Sequence, residues 1–196
     1  MTRLTRRVAA GLNVVNNDTL VDSQTGVEYG GAGVTVLARQ TDAVIVGNTS
    51  AVTTVFTYSD PGGQLGTSGI MRLTIMGTIT DSALDTVTSM AIRFGYGGTT
   101  LATVTITTDD GATTIGTLQA FRLTFDLIAT GTATTQSGAA SGVIPLLAAP
   151  VRAPVAVLGT STEDSDQPQD ITVVFDWNNA AAAATATLIV AVLELL

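Results

Sequence analysis

The sequence predicts an all-β protein, an antiparallel β-sandwich of jelly-roll type with an extended N-terminal arm. Two observations predict this class. Apolar residues alternate with small polar residues along several segments, as they do in strands that bury one face. No window keeps the i, i+3, i+4, i+7 spacing of an amphipathic helix, and the chain is rich in threonine, valine and isoleucine, which favour strands.

The clearest predicted strand is Phe121–Leu127, because its apolar side chains fall on one face and its polar side chains on the other. The same alternation occurs in three further segments. The predicted inward-facing residues are Met71, Leu73 and Ile75; Met90, Ile92, Phe94 and Tyr96; Phe121, Leu123, Phe125 and Leu127; and Ile171, Val173, Phe175 and Trp177. These residues are the predicted core of the sandwich.

The chain divides by composition into an arm, residues 1–41, and a sandwich domain, residues 42–196. The arm is rich in asparagine, aspartate and glycine and has only short apolar runs. Such a segment buries too little apolar surface to fold alone, so we expect it to become ordered against another surface.

Glycine, proline and aspartate mark the predicted connections in the sandwich. Turns are predicted at Asp60–Gly63, Gly77–Asp81, Gly95–Gly98 and Asp109–Gly111, and loops at Gly131–Gly142 and Gly159–Pro168. Three prolines place the segment between these loops, Val143–Leu158, at a sheet edge or in an extended crossover. The apolar end, Ala180–Leu196, is short for a membrane span and is predicted to be a buried closing strand.

The composition excludes most catalytic chemistry. The chain has no histidine, cysteine or lysine, so Ser-His-Asp and Cys-His sites, thiolate zinc sites and the Walker lysine are all missing. Most aspartates lie in predicted turns, where they have structural roles. We therefore predict a protein that is not an enzyme and needs no cofactor. The aromatic residues Phe175 and Trp177 are predicted to be core, while Tyr58 and Tyr96 adjoin turns and are candidates for an exposed sugar-binding face.

Charge limits the partners. The net charge of −8 argues against nucleic-acid binding, which needs clustered basic residues. The one basic cluster is Arg3, Arg6 and Arg7, and we predict that it docks on an acidic partner surface, the alternative being a solvated tail. Glu163, Asp164 and Asp166 in the acidic loop 163–170 offer oxygen ligands for calcium, although their spacing does not match an EF-hand, and the alternative is a solvated loop.

Several short motifs resemble those of β-sandwich structural proteins of tailed bacteriophages. They are Val44–Thr49, Gly66-Thr67 before Leu73, Arg93–Leu101, Ala120–Leu123 and Ala191–Leu196. The resemblance covers roughly residues 44–196 and leaves out the arm; no catalytic marker is among its motifs.

The resemblance implies a virion protein located on the capsid surface. The expected role is that of a capsid decoration (cement) protein, whose partners are the major capsid protein and further copies of itself in a homotrimer, with no nucleic acid and no membrane. The alternative is a tail or head fibre protein that binds a host surface glycan. The chain carries no repeats or heptads of a fibre shaft, which favours decoration.

Overall fold

The structure is a computed structural model. It describes residues 34–196 except 48, 148 and 182; before residue 34 it describes only the backbone of 7–9, 12–15, 19–22 and 28–29, and of 149–154 only the backbone. This part of the chain contains fifteen strands and no helix. The strands are β1 Arg7–Ala9, β2 Leu12–Val15, β3 Thr19–Asp22, β4 Glu28–Tyr29, β5 Thr35–Gln40, β6 Val44–Gly47, β7 Thr53–Asp60, β8 Ile70–Asp81, β9 Ser89–Tyr96, β10 Thr99–Thr107, β11 Gly116–Thr132, β12 Thr135–Leu146, β13 Ala149–Ser161, β14 Gln169–Trp177 and β15 Ala184–Leu195.

The chain divides between residues 35 and 36 into two units. In the first unit, β1, β2, β3 and β4 pair in sequence order as an antiparallel sheet. The second unit, residues 36–195, includes nearly all of β5, which pairs with β15. The predicted division into arm and sandwich at residues 41 and 42 stays a prediction, and the structure places the change of unit six residues earlier.

The second unit is a sandwich of two sheets, and the predicted all-β sandwich is confirmed. The small sheet has the strand order β10-β9-β14-β7. The large sheet has the order β13-β12-β11-β8-β15-β5, with β6 also paired to β15. Their pairings are antiparallel, for example β11 with β8 and β14 with β9.

The core lies between the two sheets, and all four predicted inward-facing series are buried. Aromatic rings join the sheets: Phe94 stacks on Phe125 with ring centroids 5.1 Å apart, and Phe121 meets Phe175 edge-on at 6.0 Å. The indole Nε1 of Trp177 donates to the Val46 carbonyl oxygen at 3.3 Å, so its one polar atom is satisfied inside the core.

The predicted turn at Gly77–Asp81 is wrong, because β8 runs without a break from Ile70 to Asp81. Gly77 is buried in the middle of this strand. A Cβ at Gly77 would overlap the Phe121 ring and the Thr187 carbonyl oxygen. The glycine therefore makes room for an aromatic ring on the neighbouring strand and does not reverse the chain.

The predicted loop at Gly131–Gly142 is also wrong, since β11 ends at Thr132 and β12 begins at Thr135. The small residues in this segment serve packing. A Cβ at Gly138 would lie 2.8 Å from atoms of both Phe125 and Leu101, and its register partner Gly159 would meet the Leu101 carbonyl oxygen. The glycine pair lets β10, at the edge of the small sheet, pack closely on β12 and β13.

The predicted connections at Asp60–Gly63 and Asp109–Gly111 are confirmed. The turn predicted at Gly95–Gly98 is confined to Gly97 and Gly98, since β9 continues to Tyr96, and the loop predicted at Gly159–Pro168 begins after β13 ends at Ser161. Gly97 and Gly98 have φ of 58° and 86° and join β9 to β10, as a two-residue hairpin requires. The segment Val143–Leu158, predicted at a sheet edge or in a crossover, divides: its second part belongs to the edge strand β13, as predicted, but residues 143–146 with Pro145 end β12, which lies between β13 and β11. The predicted closing strand at the apolar end is β15, which lies between β8 and β5 and buries one face. Within the described residues, no helix has the length and apolar character needed to span a membrane.

Candidate interaction surface

The outward side chains of the large sheet form a broad surface, which we call the outer face. The strand register aligns outward residues of β13, β12, β11, β8 and β15 in rows across the sheet. One row is Leu158, Ala139, Asp126, Arg72 and Glu194; the next is Ala156, Ser141, Thr124, Thr74 and Val192; a third contains Val143, Arg122, Met76 and Val190. Most of these side chains are short, so a partner protein could approach the sheet closely.

Apolar side chains are exposed on and beside the outer face. Met76 is 45% exposed, Val143 37% and Leu158 78%. Ile45 on β6, opposite Thr187 of β15, and Ile189 of β15 extend the apolar surface toward the β5 and β6 edge. Single exposed apolar residues are common, but several of them on one sheet indicate a surface that a partner can cover.

The charges of the outer face are few. Arg72 donates through Nε and Nη2 to the two carboxylate oxygens of Asp126, at 2.7 and 3.0 Å, and this hydrogen bonding raises the pKa of Arg72. Arg122 is exposed and has no ion pair within the described residues. An exposed pair such as Arg72–Asp126 contributes at most about 1 kcal/mol to stability, so its larger effect is to fix a charge pattern on the surface.

Buried polar groups collect at one end of the sandwich, which we call the loop end, where the connections 61–69, 97–98, 133–134 and 162–168 meet. Backbone bonds tie these loops together: Gly63 N donates to Ser165 O at 2.7 Å, and Ser165 N donates to Ala133 O at 2.8 Å. Asp60 is fully buried, and its Oδ1 accepts from Gly62 N at 3.1 Å. Burial raises the pKa of Asp60, and it raises the pKa of Tyr96 as well, with the charge of Asp60 as the next cause.

The structure does not gather the acidic loop 163–170 into a calcium site. Glu163 Oε1 accepts from Thr99 Oγ1 at 2.7 Å, and Asp164 Oδ1 accepts from Asp166 N at 3.1 Å. Asp170 Oδ1 accepts from Ser59 Oγ at 2.6 Å. In the described part of the chain, no three His, Cys, Asp or Glu side chains are arranged to hold a metal ion. These carboxylates therefore bond within the loop and to the neighbouring strands β7 and β10.

The predicted sugar-binding aromatics are not exposed. Tyr96 is fully buried, which contradicts the predicted exposure. Tyr58 is half-buried, and its hydroxyl hydrogen-bonds Gln64 Oε1 at 3.0 Å. Phe175 and Trp177 are core, as predicted. The side chain of Tyr29 lies outside the described residues.

The predicted basic docking cluster cannot be placed. Arg3 and Arg6 lie outside the described residues, and Arg7 begins β1 with its side chain outside them. Their docking on an acidic partner stays a prediction. The sequence alone does not predict the outer face either, because its rows depend on which residues pair across strands.

Among the residues that the structure describes, two shallow depressions lie elsewhere on the sandwich. One, of about 400 Å³, is lined by Thr105, Thr107, Ile144, Pro145, Leu146 and Leu147. The other, of about 170 Å³, lies on the small sheet and is lined by Val52, Arg93, Gly95, Gly98, Thr99, Thr100, Thr172 and Val174. The first depression is mainly apolar, and in the second the Arg93 guanidinium is already paired with Asp176.

No family model matches the chain, and no curated protein matches it. Among solved structures, it is similar to peanut lectin with a nine-residue peptide, with 7% identity, a TM-score of 0.40, and coverage of 94% of this chain and 88% of that chain. It is also similar to lectin I from Ulex europaeus in complex with the methyl glycoside of α-L-fucose, with 10% identity, a TM-score of 0.36, and coverage of 94% and 89%. These values are too low to indicate what the chain binds.

Proposed function

We propose that the protein is a non-enzymatic structural protein of a tailed-bacteriophage virion, acting as a capsid decoration protein. The observation that carries the proposal is the outer face, with its exposed Met76, Val143 and Leu158 among short side chains. A sheet face of this kind gains free energy when a protein surface covers it, at roughly 25 cal/mol per Å² of apolar area removed from water. The resemblance of residues 44–196 to phage sandwich proteins supplies the biological setting.

In this proposal the sandwiches associate with one another as a homotrimer and bind across subunits of the major capsid protein, to which the basic arm adds contacts. Binding only the assembled shell stabilises the assembled state by mass action. Adsorption to a host glycan is less well supported, because the aromatic side chains within the described residues are core or half-buried and do not form a stacking surface.

The test compares the wild type with the double variant Met76→Glu/Val143→Glu, which places two charges on the outer face. The control is Val52→Glu, because Val52 is also exposed, at 59%, but lies beside the small sheet. Mass measurement in solution and mixing with undecorated phage heads are the two readouts. We expect the wild type and the control to be trimeric and to bind heads, and the double variant to be monomeric and to lose binding.

Two outcomes would contradict the proposal. If the double variant assembles and binds heads like the wild type, the outer face is not the contact surface. If the wild type ignores heads and binds host cells or their polysaccharide instead, the protein is an adsorption protein and not a decoration protein.

A further inference from the structure

Two β-bulges of the large sheet each add one residue to a strand that pairs with β8. In β11, Thr117 and Leu118 together lie opposite Thr80, and in β15, Ile189 has no register partner on β8. Leu118 and Ile189 are large, apolar and exposed, at 72% and 45%. Because a bulge redirects the side chain that it adds, both bulges present an apolar residue at the surface.

The backbone of Leu118 is strained. Its φ is 53°, in the left-handed region that glycine tolerates and a leucine side chain does not favour. Leu118 N donates to Thr80 Oγ1 at 3.2 Å, which holds the bulge in this shape. Leu118 is the one residue other than glycine with a positive φ in the described part of the chain. Since strain of this kind collects at functional sites, an exposed leucine at this position indicates a contact residue.

A surface that can receive an apolar side chain lies on the same molecule. The depression of about 400 Å³ lies between the edge strand β10 and the end of β12, and Leu146 in its lining is 43% exposed. The turns before β10 and before β12 belong to the loop end, so both strands finish at the opposite end of the sandwich, where β11 begins. Leu118 and the depression therefore lie at the same end of the strands.

The charges near the two patches are complementary. Arg122 is exposed, has no ion pair within the described residues, and follows Leu118 by four residues, so it lies within about 14 Å of it. Asp110 is exposed, is equally without an ion pair in the described part of the chain, and lies within about 11 Å of Thr107, which lines the depression. The backbone N–H groups of Ala112 and Thr113 hold the pKa of Asp110 below its ordinary value, so it is charged at neutral pH.

We propose that Leu118 of one copy inserts into the depression between β10 and β12 of the next copy, and that this head-to-tail contact builds the homotrimer. The inference rests on the proposed function, which supplies the homotrimer. A ring of three copies needs two different patches on each subunit, because its contacts are heterologous. The exposed Met76 and Val143, in the same row as Arg122, lie on the Leu118 side of this contact. Arg122 then meets Asp110 of the next copy, which orients the contact more than it strengthens it.

The first test is sedimentation of the full chain and of three variants. Leu118→Asp places a charge on the bulge, where aspartate tolerates a positive φ, and Leu146→Asp places one in the depression. Val52→Asp is the matched control, since Val52 is also exposed but lies beside the small sheet. We expect the wild type and the control to be trimeric. The other two variants should need at least about 30-fold higher concentration to associate, as expected for loss of a central contact residue.

Mixing Leu118→Asp with Leu146→Asp tests whether the two patches meet each other. Each variant keeps the patch that the other has lost, so the mixture is expected to form a one-to-one heterodimer that neither variant forms alone. A contact between two copies of the same patch would give no such recovery. Absence of the heterodimer in native mass spectrometry would overturn the head-to-tail assignment.

A second pair of variants separates the side chain of Leu118 from its backbone. Leu118→Gly and Leu118→Ala both remove the apolar group, so both are expected to be monomeric at concentrations where the wild type is trimeric. The glycine variant should unfold at a Tm about 2 to 4 °C above that of the alanine variant, because glycine relieves the positive φ. Trimeric Leu118→Ala, or equal Tm values for the two monomers, would contradict the proposal.

Failure of this proposal can be told apart from failure of the proposed function by binding to undecorated phage heads. If the wild type binds heads but is monomeric, or if Leu118→Asp remains trimeric, the contact proposed here is wrong and decoration stands. If the wild type is trimeric through Leu118 and Leu146 but ignores heads, this contact is supported and decoration is contradicted.

Discussion

At the scale of single residues, the sandwich keeps carboxylates inside its two ends by different means. Asp109 is buried but accepts two backbone N–H groups, so its charge is compensated by the turn that it begins. Asp60 is buried with one such bond. Because a buried carboxylate is stabilised by each donor that faces it, Asp109 is better compensated by its surroundings than Asp60.

The contribution of Asp60 to the stability of the sandwich should fall as pH rises. Burial raises the pKa of Asp60 above its ordinary value of 3.8, so the folded state holds this proton more tightly than the unfolded state does. Its contribution to stability is therefore fully present below pH 3.8 and is lost as pH rises through the folded-state pKa. Asp60→Asn keeps an acceptor for Gly62 N and cannot ionise, so its stability relative to the wild type should increase with rising pH.

Urea unfolding of both proteins from pH 3.5 to 7 measures this difference, with the range chosen to span roughly the carboxylate pKa values. Glu163, Asp164 and Asp166 are present in both proteins, so the difference between the two proteins isolates Asp60. A stability difference that stays constant across the range would show that Asp60 has the same pKa in the folded and unfolded states.

At the scale of elements, glycine positions control how closely the two sheets meet. Gly159→Ala should destabilise the fold by about 1 to 3 kcal/mol, the usual cost of overpacking, because the added methyl group would overlap the Leu101 carbonyl oxygen. Ala156→Val on the same strand is the control: its side chain is exposed on the outer face, so it should change stability by no more than about 0.5 kcal/mol. Denaturant unfolding measures both, and equal effects would contradict the close approach.

The same glycines show why the sequence predicts the strands better than their connections. Alternation is a local signal, so the buried face of Phe121–Leu127 can be read from seven consecutive residues. The reason for Gly77 lies on the neighbouring strand, in the ring of Phe121, and the reason for Gly138 lies partly on the other sheet, at Leu101. Without knowledge of strand pairing, a glycine placed for packing resembles a glycine placed for a turn.

The candidate sites were beyond the sequence for a related reason. The rows of the outer face arise from the register of β13, β12, β11, β8 and β15, which alternation alone does not specify. Asp81 fell in a wrongly predicted turn, where aspartate has an ordinary structural role. Its burial becomes visible only when β8 is extended to its end.

At the scale of the whole molecule, the position of the boundary between the two units decides which residues the sandwich needs. β5 pairs with β15 in the large sheet, and Leu37 and Ala38 pack against the core. Gln40 Nε2 also donates to the Val55 carbonyl oxygen at 3.1 Å, and this bond links β5 to β7 of the small sheet. These contacts assign residues 36–40 to the sandwich and not to the arm.

A chain of residues 36–196 should therefore be more stable than a chain of residues 42–196, by about 2 kcal/mol, the value of burying one large apolar side chain. Denaturant unfolding of the two proteins gives the difference, and Leu37→Ala in the longer chain separates side-chain packing from strand pairing, because it keeps the β5 backbone. If the pairing of β5 with β15 also contributes, the chain of residues 42–196 is less stable than Leu37→Ala, and both are less stable than the chain of residues 36–196. Equal stability of all three would mean that residues 36–41 add nothing to the sandwich, and the boundary predicted from composition, at residue 41, would then be the correct one.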